Sequence, residues 1–115
     1  MQRDLCAYLQ DILDAADSIQ LFVGGLSFET FDQVDLILSA VERKFEIIGE
    51  ALNQASKYFP ASVDSVPELK GIIGQRNRIA HGYFAVDPII LWKSIEEDLP
   101  KLIKEVERLK AVSCP

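Results

Sequence analysis

Residues 76–84, with the sequence RNRIAHGYF, hold the only histidine of the chain, His81, together with Arg76, Arg78 and Tyr83. An imidazole is the natural general acid or base at neutral pH, and a guanidinium stabilises charge that develops on a phosphorus atom. A tyrosine hydroxyl can donate to a phosphate or accept a modifying group. Together these groups suit RNA cleavage by the substrate's own 2′-OH, a route that DNA does not offer because it lacks this hydroxyl.

The spacing of these residues leaves a structural alternative open. In an unbroken helix, Asn77 and Arg78 share the face of His81, because they precede it by four and three residues. Arg76 lies about 140° around the helix axis from His81, so the two converge only if the helix loosens near Gly82 or a cleft wraps around its end. Alternatively, the histidine and arginines only offset the dipole at a helix C-terminus. Spacing alone favours this second interpretation.

Length and composition limit the class of protein. The chain has 115 residues and a formal net charge of −6, with 49% hydrophobic and 26% charged residues. These values predict one globular domain over residues 1–115. An acidic domain does not attract RNA through its overall charge, so binding would need a local basic cluster such as Arg76 and Arg78. The N-terminus carries acids and no apolar run could cross a bilayer, which predicts a cytoplasmic protein with no membrane partner.

The two cysteines predict neither a metal site nor a disulfide. Cys6 and Cys114 lie at opposite ends of the chain, and neither has another cysteine or a histidine at metal-ligand spacing. We therefore expect no metal and no cofactor. In reducing surroundings both thiols would be free, with Cys6 as a small helical residue and Cys114 on a frayed tail.

Four main helices follow from apolar residues at alternating spacings of three and four. The first runs from Leu5 to Val23 and ends at Gly24 and Gly25. The second runs without interruption from Phe31 to Phe59, roughly eight turns, with Ser27 or Thr30 as its N-cap.

The third helix is predicted from Ser65 to Gly82, so it carries the residues that suit catalysis. The fourth has Asp87 as its N-cap and Pro88 as its first residue, and Pro100 predicts a kink or break within it. No segment alternates with a period of two. The predicted fold is an all-α, antiparallel up-and-down four-helix bundle.

The second helix has apolar residues outside its main stripe, at Ile37, Ile47 and Ala51. A helix that is apolar on more than one side needs a second partner. Two interpretations are open: another copy of the chain, which predicts a homodimer, or the other helices of the same bundle.

The sequence resembles a known family over nearly its whole length. Arg76, His81 and Tyr83 match the Arg-x4-His-x-Tyr signature of the HEPN superfamily, and Asn77 after the arginine is typical of it. The segments RDLCAYLQDILDA, FEIIGEALNQAS, IIGQRNRIAHGYFAVD and LWKSIEEDLPKL occur in the order found in its HepT-type branch.

This resemblance implies a HEPN-like homodimer that acts as a metal-independent endoribonuclease toxin of a type VII-like toxin–antitoxin pair. Its implied partners are RNA and an MntA-type nucleotidyltransferase antitoxin, which transfers AMP to the signature tyrosine. Carried over by position, Arg76 and His81 are catalytic, Asn77 is a supporting residue and Tyr83 is the modified residue. Arg78 is not part of the signature; it is an RNA-binding candidate because its guanidinium can hold phosphate oxygens. Paired copies of Arg76 and Arg78 would form a basic cleft on an acidic body.

A second function is also compatible with the sequence: the chain could be a non-catalytic, substrate-binding partner of a nucleotidyltransferase instead of a ribonuclease. Glu46 and Glu50, one helical turn apart, would either orient Arg76 or Arg78 or belong to a solvated acidic face. Trp92 is expected in the core rather than as a platform for base stacking.

Overall fold

The computed structural model describes residues 4–64 and 87–114. All secondary structure within these two ranges is helical, which confirms the all-α class. The elements are α1 (Leu5–Val23), α2 (Phe28–Gln33), α3 (Asp35–Tyr58), α4 (Pro60–Val63), α5 (Pro88–Lys93), a π-helical turn (Ser94–Asp98) and α6 (Leu99–Ser113). The predicted third helix, from Ser65 to Gly82, lies outside the described residues.

Helix α1 follows the predicted apolar stripe. The Asp4 carboxylate accepts a hydrogen bond of 2.6 Å from the backbone N–H of Cys6, which satisfies one of the free N–H groups of the first turn. The helix ends before Gly24, and Gly25 has a φ of 78°, a left-handed conformation that glycine adopts without steric cost. The residues of the stripe that are fully buried are Leu9, Ile12, Ala16 and Ile19.

The second predicted helix is divided at Val34, so the prediction of one uninterrupted helix was wrong. Val34 adopts an extended conformation with φ −110° and ψ 92°, which separates α2 from α3. The break allows α2 to turn and bury Phe31, whose ring centroid lies 5.0 Å from that of Trp92. Ser27 is the N-cap of α2, since its hydroxyl accepts a bond of 3.3 Å from the N–H of Thr30.

The fourth predicted helix begins as expected and is then interrupted. Asp87 caps α5 through a bond of 2.9 Å from the N–H of Ile89, and Pro88 is the first helical residue. The π-helical turn ends just before Pro100, which lies in the first turn of α6. The chain stays helical from Pro88 to Ser113, so the helix does not break at Pro100; its type changes from α to π over Ser94–Asp98.

The buried apolar residues around the π-helical turn are Leu91, Ile95 and Leu99, which are spaced by four. Residues with this spacing also share one face of a regular α-helix, as the buried Tyr8, Ile12 and Ala16 do in α1, so the spacing by itself does not require the wider turn. Leu91 is fully buried. Trp92 is half-buried and packs on Phe28 and Phe31, which confirms it as a core residue.

Helix α1 packs against both α3 and α6. It runs antiparallel to α6, because Cys6 near the start of α1 is bonded to Cys114 at the end of α6, while Lys110 donates to Gln10 one turn further along. The prediction of two free thiols was therefore wrong. The fold brings the two ends of the chain together, and the Cα atoms of the cysteines lie 5.9 Å apart.

The off-stripe residues of α3 are covered to different degrees by the chain itself. Ala51 is buried, and Ile37 and Ile47 are partly buried against the core. These contacts favour the interpretation in which the bundle's own helices cover both sides of α3. The homodimer stays a prediction. Within the part of the chain described here, no helix is long and apolar enough to cross a membrane.

Candidate functional site

The residues predicted to do chemistry lie outside the described ranges. They are Arg76, Asn77, Arg78, His81 and Tyr83, all of which fall within residues 65–86. The convergence of Arg76 with His81 is therefore still a prediction, as is the separate role assigned to each residue. The described residues show how the two ends of this segment are attached to the bundle.

Both ends of the segment join elements that are anchored in the core. On the N-terminal side, α4 ends at Val63, which is only 4% exposed. On the C-terminal side the chain continues into α5, whose start is fixed by the Asp87 cap and whose Leu91 side chain is fully buried. In sequence, the residues that match the signature are thus flanked by α4 and α5, both of which are anchored in the core. Tyr83 precedes the Asp87 cap by only four positions.

A groove of about 580 Å³, which was not predicted from the sequence, lies beside α5. Its apolar lining comes from Phe28, Ile89 and Trp92, and its charged lining from Lys93, Glu96 and Glu97. This volume falls within the usual range of small-ligand pockets. Among the described lining residues, two carboxylates and one ammonium group give a net negative charge. Of the described residues that line the groove, Ile89 carries a sequence signal, because it is apolar and lies outside the main apolar stripe of the fourth predicted helix. In the structure its side chain is half-exposed.

The two glutamates considered as orienting groups differ in their surroundings. The Glu46 carboxylate forms an ion pair of 3.1 Å with Arg43, one turn earlier on α3, and 33% of its side chain is exposed. Such a partly solvated pair contributes little to stability. Glu50 is exposed, as expected for a solvated acidic face. Any pairing of either residue with Arg76 or Arg78 lies outside the described residues.

Helix α6 carries a row of basic side chains on its outer surface. Lys101, Lys104 and Arg108 are all exposed and follow one another at spacings of three and four, so they share one face. Glu105 binds Arg108 with a shortest distance of 2.7 Å and neutralises part of this row. The usual explanation of such a row is a solvated helix face, and it does not match the basic cluster predicted at Arg76 and Arg78.

Potential metal ligands do not converge in the described part of the chain. Over residues 4–64 and 87–114 there is no group of three or more His, Cys, Asp or Glu side chains placed to hold a metal ion. The two cysteines are bonded to each other. The expectation of a metal-free site at His81 stays a prediction, because that residue lies in the other part of the chain.

Known proteins resemble this chain over residues that include the segment 65–86. Residues 12–109 match the family model described as "Ribonuclease HepT-like". The chain is 41% identical over 106 residues to "Putative RNase MJ1380" of Methanocaldococcus jannaschii, covering 92% of this chain and 96% of that protein. It is 34% identical over 110 residues to "Probable ribonuclease HepT" of Thermococcus cleftensis, covering 96% and 99%. No solved structure matches the chain.

Proposed function

The chain belongs to the HepT-like ribonuclease family, and from this premise we propose that it is a metal-independent endoribonuclease. The observation that carries the proposal is the family match over residues 12–109, which includes every residue of the Arg-x4-His-x-Tyr signature. The names of the relatives support the same activity, since the proteins of Methanocaldococcus jannaschii and Thermococcus cleftensis are both named as ribonucleases.

The proposed reaction uses the RNA itself as the source of the nucleophile. The 2′-OH attacks the adjacent phosphorus, the bond to the 5′-oxygen of the next nucleotide breaks, and the products are a 2′,3′-cyclic phosphate and a 5′-hydroxyl. His81 removes or delivers the proton that moves between these oxygens. Arg76 stabilises the additional negative charge on the pentacoordinate phosphorus. Asn77 supports this pair, and Arg78 holds the RNA backbone.

The proposed active form is a homodimer with the signature residues of both chains at one cleft. This arrangement would double the local positive charge of Arg76 and Arg78 on a chain whose formal net charge is −6. It would also let Arg76 of one chain act beside His81 of the other, which removes the difficulty that they lie about 140° apart on one regular helix.

The decisive experiment compares the purified wild-type chain with His81→Ala on a fluorescent RNA in the presence of EDTA. We expect the substitution to reduce cleavage by about 100- to 10,000-fold, as for the loss of a general acid–base group. An RNA with a single 2′-deoxynucleotide at the cleaved position should stay intact. Equal cleavage by both proteins, or activity that strictly requires a divalent metal, would contradict the proposal.

The control for this experiment must separate loss of chemistry from loss of structure. Circular dichroism and sedimentation should show the same helix content and the same oligomeric state for the wild type and His81→Ala. Arg78→Ala is a useful second variant, because loss of an RNA phosphate contact should raise KM and reduce its dependence on salt, with little change in kcat at saturating RNA. A monomer that retains full activity would exclude the shared cleft.

We further propose that the chain is the toxin of a toxin–antitoxin pair and that an MntA-type nucleotidyltransferase neutralises it. In this step the Tyr83 oxygen attacks the α-phosphorus of ATP, the bond to the β-phosphate breaks, pyrophosphate leaves and AMP stays on the tyrosine. Incubation with that enzyme and ATP should raise the intact mass by whole multiples of AMP and abolish cleavage. Tyr83→Phe should prevent both effects. If AMP is transferred but the unmodified chain neither cleaves RNA nor arrests growth, the alternative of a non-catalytic partner of the nucleotidyltransferase would replace the toxin proposal.

A further inference from the structure

The Cys6–Cys114 disulfide closes nearly the whole chain into a covalent ring. The two residues are separated by 108 positions in sequence, yet their Cα atoms lie 5.9 Å apart, within the usual range for bonded cysteines. Cys6 belongs to the first turn of α1, and Cys114 immediately follows α6. The bond therefore joins the two terminal helices of the bundle at the end where each of them would otherwise fray.

Both sulfur-bearing residues can be reached from solvent. Cys6 and Cys114 are each only partly buried. Cys114 lines a surface groove of about 480 Å³ between α1 and α6, whose other members are Leu13, Glu107, Lys110 and Ala111. A groove of this size admits a small thiol or disulfide. A fully enclosed pair would be inert, because exchange requires access to a sulfur atom.

Charged groups of both signs surround the pair. When reduced, Cys6 lies in the first turn of a helix of 19 residues, where the partial positive charge of the N-terminus stabilises an anion. The Asp4 carboxylate, which accepts from the Cys6 N–H, opposes this effect. The Lys110 ammonium group and the Glu107 carboxylate both line the groove that contains Cys114, so their charges offset each other there.

We propose that Cys6 and Cys114 form a reversible redox site, which exchanges with low-molecular-weight thiols and disulfides. When this site is oxidised, the disulfide links α1 to α6 covalently. When the Cys6–Cys114 disulfide forms, the Cys6 thiolate first attacks one sulfur of the small disulfide, that S–S bond breaks, and one small thiol leaves. The Cys114 thiolate then attacks the Cys6 sulfur of the mixed disulfide and releases the second small thiol. The two cysteine sulfurs are oxidised, the two sulfurs of the small molecule are reduced, and the cysteine protons end on the two released thiols.

The disulfide joins α1 and α6 at an end where the two helices bury apolar residues unequally. On α1, Leu5, Tyr8 and Leu9 are buried close to Cys6. On α6, the nearest fully buried residue is Val106, eight positions before Cys114, and the contacts closer to this end are the hydrogen bond from Lys110 to Gln10 and the partly buried side chain of Leu109. Oxidation should therefore stabilise the pairing of the terminal helices, and reduction should let them separate locally before the core unfolds.

The test uses the full chain, first reduced and then incubated with oxidised glutathione. Free thiols are then blocked with a maleimide. The intact mass should be that of a monomer with two hydrogen atoms fewer than the reduced chain and with no maleimide attached. The oxidised chain should unfold at a temperature higher than the reduced chain by about 10 °C, since a long closed loop restricts the unfolded state strongly. Dithiothreitol should return it to the lower value.

The matched controls are Cys6→Ser, Cys114→Ser and the double variant, whose unfolding temperatures should be equal to one another and unaffected by glutathione. Three results would overturn the proposal: glutathione adducts on both cysteines with no internal bond, disulfide-linked dimers as the main product, or equal unfolding temperatures for the oxidised and reduced wild type. RNA cleavage does not enter any of these measurements, so their outcome is independent of the proposed function.

Discussion

Helix α3 and the segment from α5 to α6 bury comparable apolar faces by different means. In α3 the buried residues Val41, Phe45, Ile48, Leu52 and Ala55 alternate in spacing between four and three. An α-helix keeps such residues on one face, so α3 continues for 24 residues without interruption. The α5–α6 segment instead buries residues spaced by four twice in succession and contains a π-helical turn. The spacing of the buried residues does not by itself explain the π-helical turn, because α1 buries Tyr8, Ile12 and Ala16 at the same spacing within a regular α-helix.

The largest effect is expected in the uninterrupted helix, from Phe45→Ala. Phe45 is 1% exposed, so its replacement leaves a cavity among the large side chains of the core. We expect the free energy of unfolding to fall by about 3–5 kcal/mol, measured by urea titration. Ser39→Ala, on the exposed side of the same helix, should change it by no more than about 0.5 kcal/mol. Similar losses from both would mean that α3 is not the central element of the core.

The next largest effect concerns the interrupted segment. Leu91 is fully buried, whereas its neighbour Ile90 is 42% exposed. Leu91→Ala should lower the free energy of unfolding by about 2–5 kcal/mol, while Ile90→Ala should cost less than about 1 kcal/mol. The same titration checks both variants. A larger loss from Ile90→Ala would show that Leu91 is not the residue that anchors α5 in the core.

A smaller effect is expected at the start of α5. The Asp87 side chain accepts from the N–H of Ile89, and Asp87→Ala leaves that donor without its cap. The free energy of unfolding should fall by about 1 kcal/mol, which thermal unfolding can detect. Asp87→Asn should restore most of the loss, because asparagine is an equally good N-cap. If the asparagine variant is as unstable as the alanine variant, the cap is not the source of the effect.

The smallest effect tests why the fourth helix is interrupted. Pro100 lies in the first turn of α6, where proline is tolerated. If core packing of Leu91, Ile95 and Leu99 stabilises the π-helical turn and Pro100 does not, Pro100→Ala should keep the turn and change the free energy of unfolding by less than about 1 kcal/mol. A crystal structure of the variant would show the hydrogen bonds directly. Conversion of Ser94–Asp98 to regular α-helix would identify Pro100 as the cause.

Reasoning from sequence succeeded where the signal is local. The end of α1 at Gly24 and the start of α5 at Asp87 both follow from the chemistry of one or two residues, because caps act within a single turn. The family resemblance was equally accessible, since it depends on the order of short segments. Within the candidate site, the spacing of Arg76, His81 and Tyr83 identifies the chemistry, whereas their convergence requires contacts between elements and stays a prediction.

The sequence by itself determined the helical class of this protein, the principal buried faces and the family to which it belongs. Tertiary structure decided the break at Val34, the π-helical turn after Lys93 and the pairing of Cys6 with Cys114. Each of the three involves residues from different elements: Phe31 packs on Trp92, Leu91 and Leu99 on either side of the π-helical turn are both buried in the core, and the cysteines meet because α1 and α6 are antiparallel. The physical reason is range, because propensity and capping act within about a turn, whereas burial and covalent pairing act between chain segments that only the fold brings together.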